Sequence, residues 1–163
     1  IYPLVLMIYY GTAAWEKIKF RSEEYEYLEK EHMTDEYQKN EKLIKGLLSE
    51  LEELLAIDID EWAYNNALEN LQMNGCENIQ ITIGGSEKIK GVFDGILANI
   101  NRNVLLNDMP QYSAALITGG FILFSGFYTE DLMLIKQTAQ DCGLEYIQHT
   151  TKDNWVAAQF LKR

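Results

Sequence analysis

Ile79, Ile81 and Ile83 alternate with Gln80 and Thr82, a period of two that predicts a strand with one face buried. Leu54–Ile57 is instead a short buried run and Val92–Ala98 another apolar strand, which suit strands covered on both faces. Between the first two runs, Asp60 can cap a helix reaching Asn74, with Tyr64, Ala67, Leu68 and Leu71 on one face and Gly75 as its stop. Leu105, Met109, Tyr112 and Leu116 mark a second helix, expected to bend at Pro110. Gly119-Gly120 reads as a turn, and Phe121–Ser125 as a strand. Leu132, Ile135, Ala139 and Cys142 form a third helical stripe ended by Gly143. Glu145–Thr150 and Trp155–Leu161 flank the polar Thr151-Lys152-Asp153-Asn154, the pattern of an antiparallel hairpin.

Short apolar strands alternating with helices predict an α/β fold whose sheet is mainly parallel. Upstream of residue 54 the pattern changes. Residues 16–53 are dense in Glu, Lys, Tyr and Leu and hold a single glycine, Gly46. Ile44, Leu47, Leu48, Leu51 and Leu55 follow amphipathic helical spacing. An earlier helix runs from Ser22 to His32, with Thr34 or Asp35 capping the next. The chain therefore divides into 1–54, a short strand plus a helical arm, and 55–163, an α/β domain.

At 163 residues and 47% hydrophobic, the chain can bury one core. Its net charge of −11 is shared evenly: 7 basic and 12 acidic residues lie up to Leu54, and 7 and 13 after it. Neither part carries the basic footprint of a direct nucleic-acid binder, whereas a basic protein partner suits this charge. Cys76 and Cys142 lie outside any CxxC pattern and read as thiols of a reducing, cytoplasmic compartment. His32 and His149 have no ligand partners at useful spacing, so no metal site is expected. The opening run IYPLVLMIYY is too short to cross a membrane and lacks a basic leader. A start at Ile1 rather than methionine suggests a fragment or processed product.

Ligands of open parallel sheets bind beyond the carboxyl ends of the strands. That rule selects Asp58, the stretch Gly84–Ser86, and Asn99. A carboxylate at Asp58 can accept two hydrogen bonds from a ribose diol, each worth about 1.5–3 kcal/mol when shielded, and Ile59 can lie against an adenine face. Alternatively, Asp58 and Asp60 simply cap the helix. Asn99 can accept a hydrogen bond from an amine while its own NH2 is held by backbone, aligning a nucleophile for in-line attack. It suits a turn or helix N-cap equally well.

AIDIDEWAYNNALENLQMNG, FDGILANINRNVLL, GGFILFSGFY and the terminal NWVAAQFLKR, taken together in order and spacing, resemble the PrmA family, the methyltransferases of ribosomal protein L-eleven, over residues 55–163. The resemblance implies a Rossmann-like class I fold ending in an antiparallel hairpin. It also implies S-adenosylmethionine as cofactor and methyl transfer to lysine and N-terminal amines of a basic ribosomal protein. Matched residue by residue, Asp58 takes the place of the ribose acid and Asn99 that of the asparagine beside the methyl donor, with Ser125, Gly126 and Phe127 on the far wall.

Two departures stand out. No glycine-rich loop directly precedes Asp58, and the nearest candidate is Gly11-Thr12-Ala13 after the strand-like run at residues 5–10. Gly85 stands where the family has an acid facing the adenine amino group, leaving Ser86 or Glu87 as substitutes. Hence a second reading stays open: a catalytically inert methyltransferase-like module whose helical arm serves as an interaction or homo-oligomerisation surface. A nicotinamide-dependent oxidoreductase fits Asp58 but not the terminal hairpin.

Overall fold

The computed structural model describes residues 5–9 and 54–163. They form a seven-stranded sheet in the order β3-β2-β1-β4-β5-β7-β6. The strands are β1 (Val5–Tyr9), β2 (Leu54–Asp58), β3 (Ile79–Ile83), β4 (Phe93–Asn99), β5 (Leu116–Tyr128), β6 (Leu144–Lys152) and β7 (Trp155–Lys162). The helices are α1 (Glu61–Asn74), α2 (Arg102–Ala114) and α3 (Leu132–Asp141). All pairings from β3 to β5 are parallel, and β7 runs antiparallel to both of its neighbours.

The apolar run near the N-terminus thus supplies the middle strand. β1 pairs with β2 on one side and β4 on the other, so the sheet is built from both sides of the seam at residue 54. The chain moves outward from β1 through β2 to β3, then crosses back to β4 and β5. The strand order therefore reverses at β1, and sheets of this kind bind ligands beyond the carboxyl ends at that point.

Local chemistry fixes the ends of these elements. Asp60 caps α1 by accepting from the backbone N–H groups of Trp62 at 2.8 Å and Ala63 at 3.1 Å. Gly75 closes the helix at φ 63°, a conformation that costs glycine little. At the hairpin tip, Asp153 and Asn154 both adopt positive φ, 50° and 66°, the geometry of a two-residue type I′ turn that matches strand twist.

The main core lies where α2 and α3 cover β4, β5 and β7. Tyr112, Phe124 and Phe160 are fully buried there, with ring centroids 6.4 Å apart for Tyr112–Phe124 and 5.3 Å for Phe124–Phe160. Ile135 and Ala139 of the expected α3 stripe are buried. A smaller cluster of Leu54 and Ala56 packs with Ile79, Ile81 and Leu97.

Several expectations need correction. Gly119-Gly120 is not a turn but part of β5, which is longer than its apolar run. From Leu116↔Phe93 to Phe121↔Gly95 the chain takes five steps along β5 against two along β4, so the glycines sit in a bulge, with Gly119 at φ 84°. Leu116, placed in α2 by its spacing, begins β5 instead. Leu55 belongs to β2 and not to a helical stripe. The helices expected between residues 22 and 53, and Gly11, lie outside the described residues.

Candidate active site

Strand register brings the selected residues to one level. Tyr9 at the end of β1 is opposite Asp58 on β2 and Asn99 on β4. Asp58 is in turn opposite Ile83 on β3, and Asn99 opposite Ser125 on β5. With strands spaced ~4.8 Å apart, Asp58 and Asn99 stand about 10 Å from each other across β1.

On the β2 side, Asp58 is 2% exposed. Its Oδ1 accepts the backbone N–H of Asp60 at 2.9 Å, and its carbonyl accepts Gly84 N–H at 2.9 Å. The two aspartates therefore divide the work: Asp60 caps α1, while Asp58 is fixed at the strand tip. Ile59, next to it, is 55% exposed.

After β3 the chain turns through Gly84 and Gly85 into a 3-10 turn at Ser86–Lys88. The Glu87 carboxylate folds back and accepts Gly85 N–H with both oxygens, at 3.0 and 3.1 Å. Backbone N–H groups at Gly85 and at Glu87 itself hold its pKa below the usual glutamate value. A carboxylate thus returns to Gly85 from two residues downstream. Gly84 sits at φ 148°, a conformation that residues with a side chain rarely adopt, and a Cβ there would displace the flexible side chains of Lys88 and Glu87.

On the β4 side, Ser125 Oγ–H donates to Asn99 Oδ1 at 3.0 Å, and Ile100 N–H donates to Ser125 O at 3.1 Å. The hydrogen bond seen at Asn99 thus comes from a neighbouring side chain to its oxygen. That oxygen retains a second lone pair for an incoming donor. The N-cap role falls to Asn101, whose Oδ1 accepts Val104 N–H at 3.2 Å, so Asn99 is not spent on capping. Gly126, at φ 90°, packs against the Ile100 backbone; a Cβ there would lie 2.5 Å from Ile100 O.

At the start of α2 a groove of about 590 Å³ opens, lined by Asn101–Asn103, Gly126–Tyr128, Glu130, Asp131 and Trp155. Arg102 Nη1 pairs with Asp131 Oδ1 at 2.8 Å across it. Of these residues only Gly126 and Phe127 were selected from sequence. Trp155 belongs to a strand distant in sequence, and its neighbour Tyr128 follows from β5–β7 pairing, which no local pattern announces. Among the described residues there is no group of three or more His, Cys, Asp or Glu able to hold a metal, and no helix is long and apolar enough to cross a membrane.

The family model described as "Ribosomal protein L11 methyltransferase (PrmA)" matches residues 43–163, reaching upstream of the motifs that start at residue 55. Ribosomal protein L11 methyltransferase of Phocaeicola vulgatus is 43% identical over 110 residues, covering 66% of this chain and 39% of that protein. Its counterpart in Bacteroides fragilis is 44% identical over 108 residues, covering 65% and 39%. The chain thus spans about two fifths of the length of these curated relatives. Among solved structures, ribosomal protein L11 methylase from Lactobacillus delbrueckii subsp. bulgaricus superposes with a TM-score of 0.70 at 21% identity, covering 100% of this chain and 72% of that one. A putative methyltransferase from Thermoplasma acidophilum gives 0.69 at 11% identity, covering 98% and 68%. Those two likenesses are of fold. The family match covers most of the sequence, and on it the chain belongs to the ribosomal protein L11 methyltransferase (PrmA) family.

Proposed function

We propose that the chain is the catalytic part of an S-adenosylmethionine-dependent N-methyltransferase acting on amino groups of a basic ribosomal protein. The observation that carries this reading is the level rim of the sheet: Asp58 and Asn99, each registered to Tyr9, flank the point where strand order reverses. The spacing of about 10 Å, two interstrand steps, suits a ribose at one end and its 5′ substituent at the other.

The residues present fit such a cofactor. Asp58, fixed by Asp60 N–H, would accept the ribose hydroxyls. Ile59 is exposed beside it to lie on the adenine face, and Ser86 heads the turn at the next strand tip. Gly11, beyond the end of β1, is assigned to the approach of the methionine portion. S-adenosylmethionine, when bound, supplies a methyl group activated on a sulfonium.

The protein's part is positional. Asn99 Oδ1, oriented by the Ser125 hydroxyl, accepts an N–H of the neutral substrate amine and so aims the nitrogen lone pair along the rim. Direct displacement from a sulfonium needs an aligned, uncharged amine more than a strong base. Gly126 lets the Asn99–Asn101 loop close against β5 without a side chain between them. The net charge of −11 favours a basic substrate protein.

Calorimetric titration with S-adenosylhomocysteine tests the reading. Micromolar binding by the wild type and a large loss in Asp58→Ala are expected. Millimolar or absent binding by the wild type would sink it and leave the inert interaction module in its place.

A further inference from the structure

We infer that the outer edge of β6 is a self-association surface, on which a second copy of this chain pairs its own β6 antiparallel about His149. The contact needs neither the cofactor nor the substrate of the proposed reaction.

β6 ends the sheet, and among the described strands only β7 pairs with it. Its outer edge therefore presents a row of backbone N–H and C=O groups, a template for another strand. Gln148–Lys152 are exposed and run in unbroken register against Trp155–Gln159, so this stretch of the edge is regular. Side-chain bonds hold it in shape before any partner arrives. The Tyr146 hydroxyl lies 2.6 Å from His149 Nδ1, and Gln148 Nε2 donates to Gln159 Oε1 at 3.0 Å. Ile147, in the bulge between Tyr146 and Gln148, is 42% exposed.

Charge selects a second copy over other strands. Glu145 and Lys152 are seven residues apart and would point to opposite faces of a regular strand. The extra residue in the bulge changes that. Glu145 pairs with Leu161 and Lys152 with Trp155, six residues apart on β7, so both side chains share one face. Two β6 strands paired with His149 opposite His149 then set Gln148 opposite Thr150 and the Tyr146–Ile147 bulge opposite Thr151. The same register sets Glu145 opposite Lys152 of the second copy, and two-fold symmetry makes that ion pair twice. Glu145 also receives Arg163 Nε at 2.7 Å, whereas Lys152 has no carboxylate partner among the described residues. Between the two, Ile147–Thr151 carries no acid. Copies of net charge −11 repel in most approaches, and this edge lets them meet without opposing carboxylates. An unrelated strand would find the backbone template but not the charge at both ends.

Sedimentation velocity of the whole chain over a concentration series tests the proposal, with Lys152→Glu and Glu145→Lys as charge reversals whose folding is checked by circular dichroism. The contact is smaller than a standard interface, so the wild-type dimer is expected only toward high-micromolar protein. Each reversal alone should weaken dimerisation about tenfold, because it sets like charges opposite each other at both ends. An equimolar mixture of the two variants regains both ion pairs and should dimerise as the wild type does. If Glu145→Lys does not fold, Lys152→Glu must still weaken dimerisation more than Lys152→Gln. A wild type that stays monomeric at millimolar protein, a dimer indifferent to the reversals, or a mixture no stronger than its components would each overturn the proposal.

Discussion

The hydroxyl of Ser125 donates to Asn99 Oδ1 at 3.0 Å across the β4–β5 seam, and strand register places those two residues directly opposite each other. This bond sets which way the Asn99 amide faces. Ser125→Ala removes it without disturbing the Asp58 side of the rim. Stability should fall by about 1 kcal/mol. In a methyl-transfer assay kcat should drop about tenfold with KM for S-adenosylmethionine unchanged. A loss confined to KM would show that Ser125 serves binding rather than alignment.

Gly126→Ala should be the harsher change on the same loop. The position combines φ 90° with a would-be Cβ 2.5 Å from Ile100 O, and that neighbour is backbone, which cannot swing aside. A loss of about 2–4 kcal/mol in urea unfolding is expected. An exposed, unconstrained glycine would cost far less.

Removing the cap of α1 gives a contrasting result. Asp60→Ala abolishes the bonds to Trp62 N–H and Ala63 N–H and should cost about 1 kcal/mol by thermal or urea unfolding. The backbone N–H of residue 60 still serves Asp58 Oδ1. Binding of S-adenosylhomocysteine should therefore change much less than in Asp58→Ala.

Glu87 makes stability depend on acidity in a known direction. Its pKa is lowered in the folded protein, chiefly by the Gly85 N–H. Such a group stabilises the fold above the unfolded value of about 4.5, and the contribution disappears as pH falls through the lower folded value. Glu87→Gln should flatten the acid limb of the stability profile below that value and leave the neutral region nearly unchanged. Because Glu87 is fully exposed to solvent, the difference will be small; an unaltered acid limb would show that the bonds to Gly85 do not hold in solution.

Much of the fold was legible from local signals. The alternation at Ile79–Ile83, the Asp60 and Gly75 caps and the polar Thr151–Asn154 stretch each specify an element through its own residues, and each appears where read. The misreadings involve partners distant in the chain. Gly119-Gly120 looks like a turn because paired glycines usually break strands. Here the bulge sits against β4, where the Phe121 ring covers Gly95 so closely that a Cβ on Gly95 would lie 2.4 Å from it. Leu116 fits a helical stripe by spacing, yet pairing with Phe93 draws it into β5. The site followed the same rule. Asp58 and Asn99 were readable as strand ends, whereas Ser125 as the orienting donor and the Tyr128–Trp155 pair depend on which strands become neighbours.

The central claim is that Asp58 and Asn99 form one rim that receives the methyl donor. Mapping backbone amide shifts upon addition of S-adenosylhomocysteine to the 15N-labelled chain tests it most directly. The account predicts saturable shifts concentrated at Ile59, Gly84–Ser86 and Asn99–Ile100, lost in Asp58→Ala. Saturable shifts located away from the carboxyl ends of β2, β3 and β4, or a map unchanged by Asp58→Ala, would contradict it.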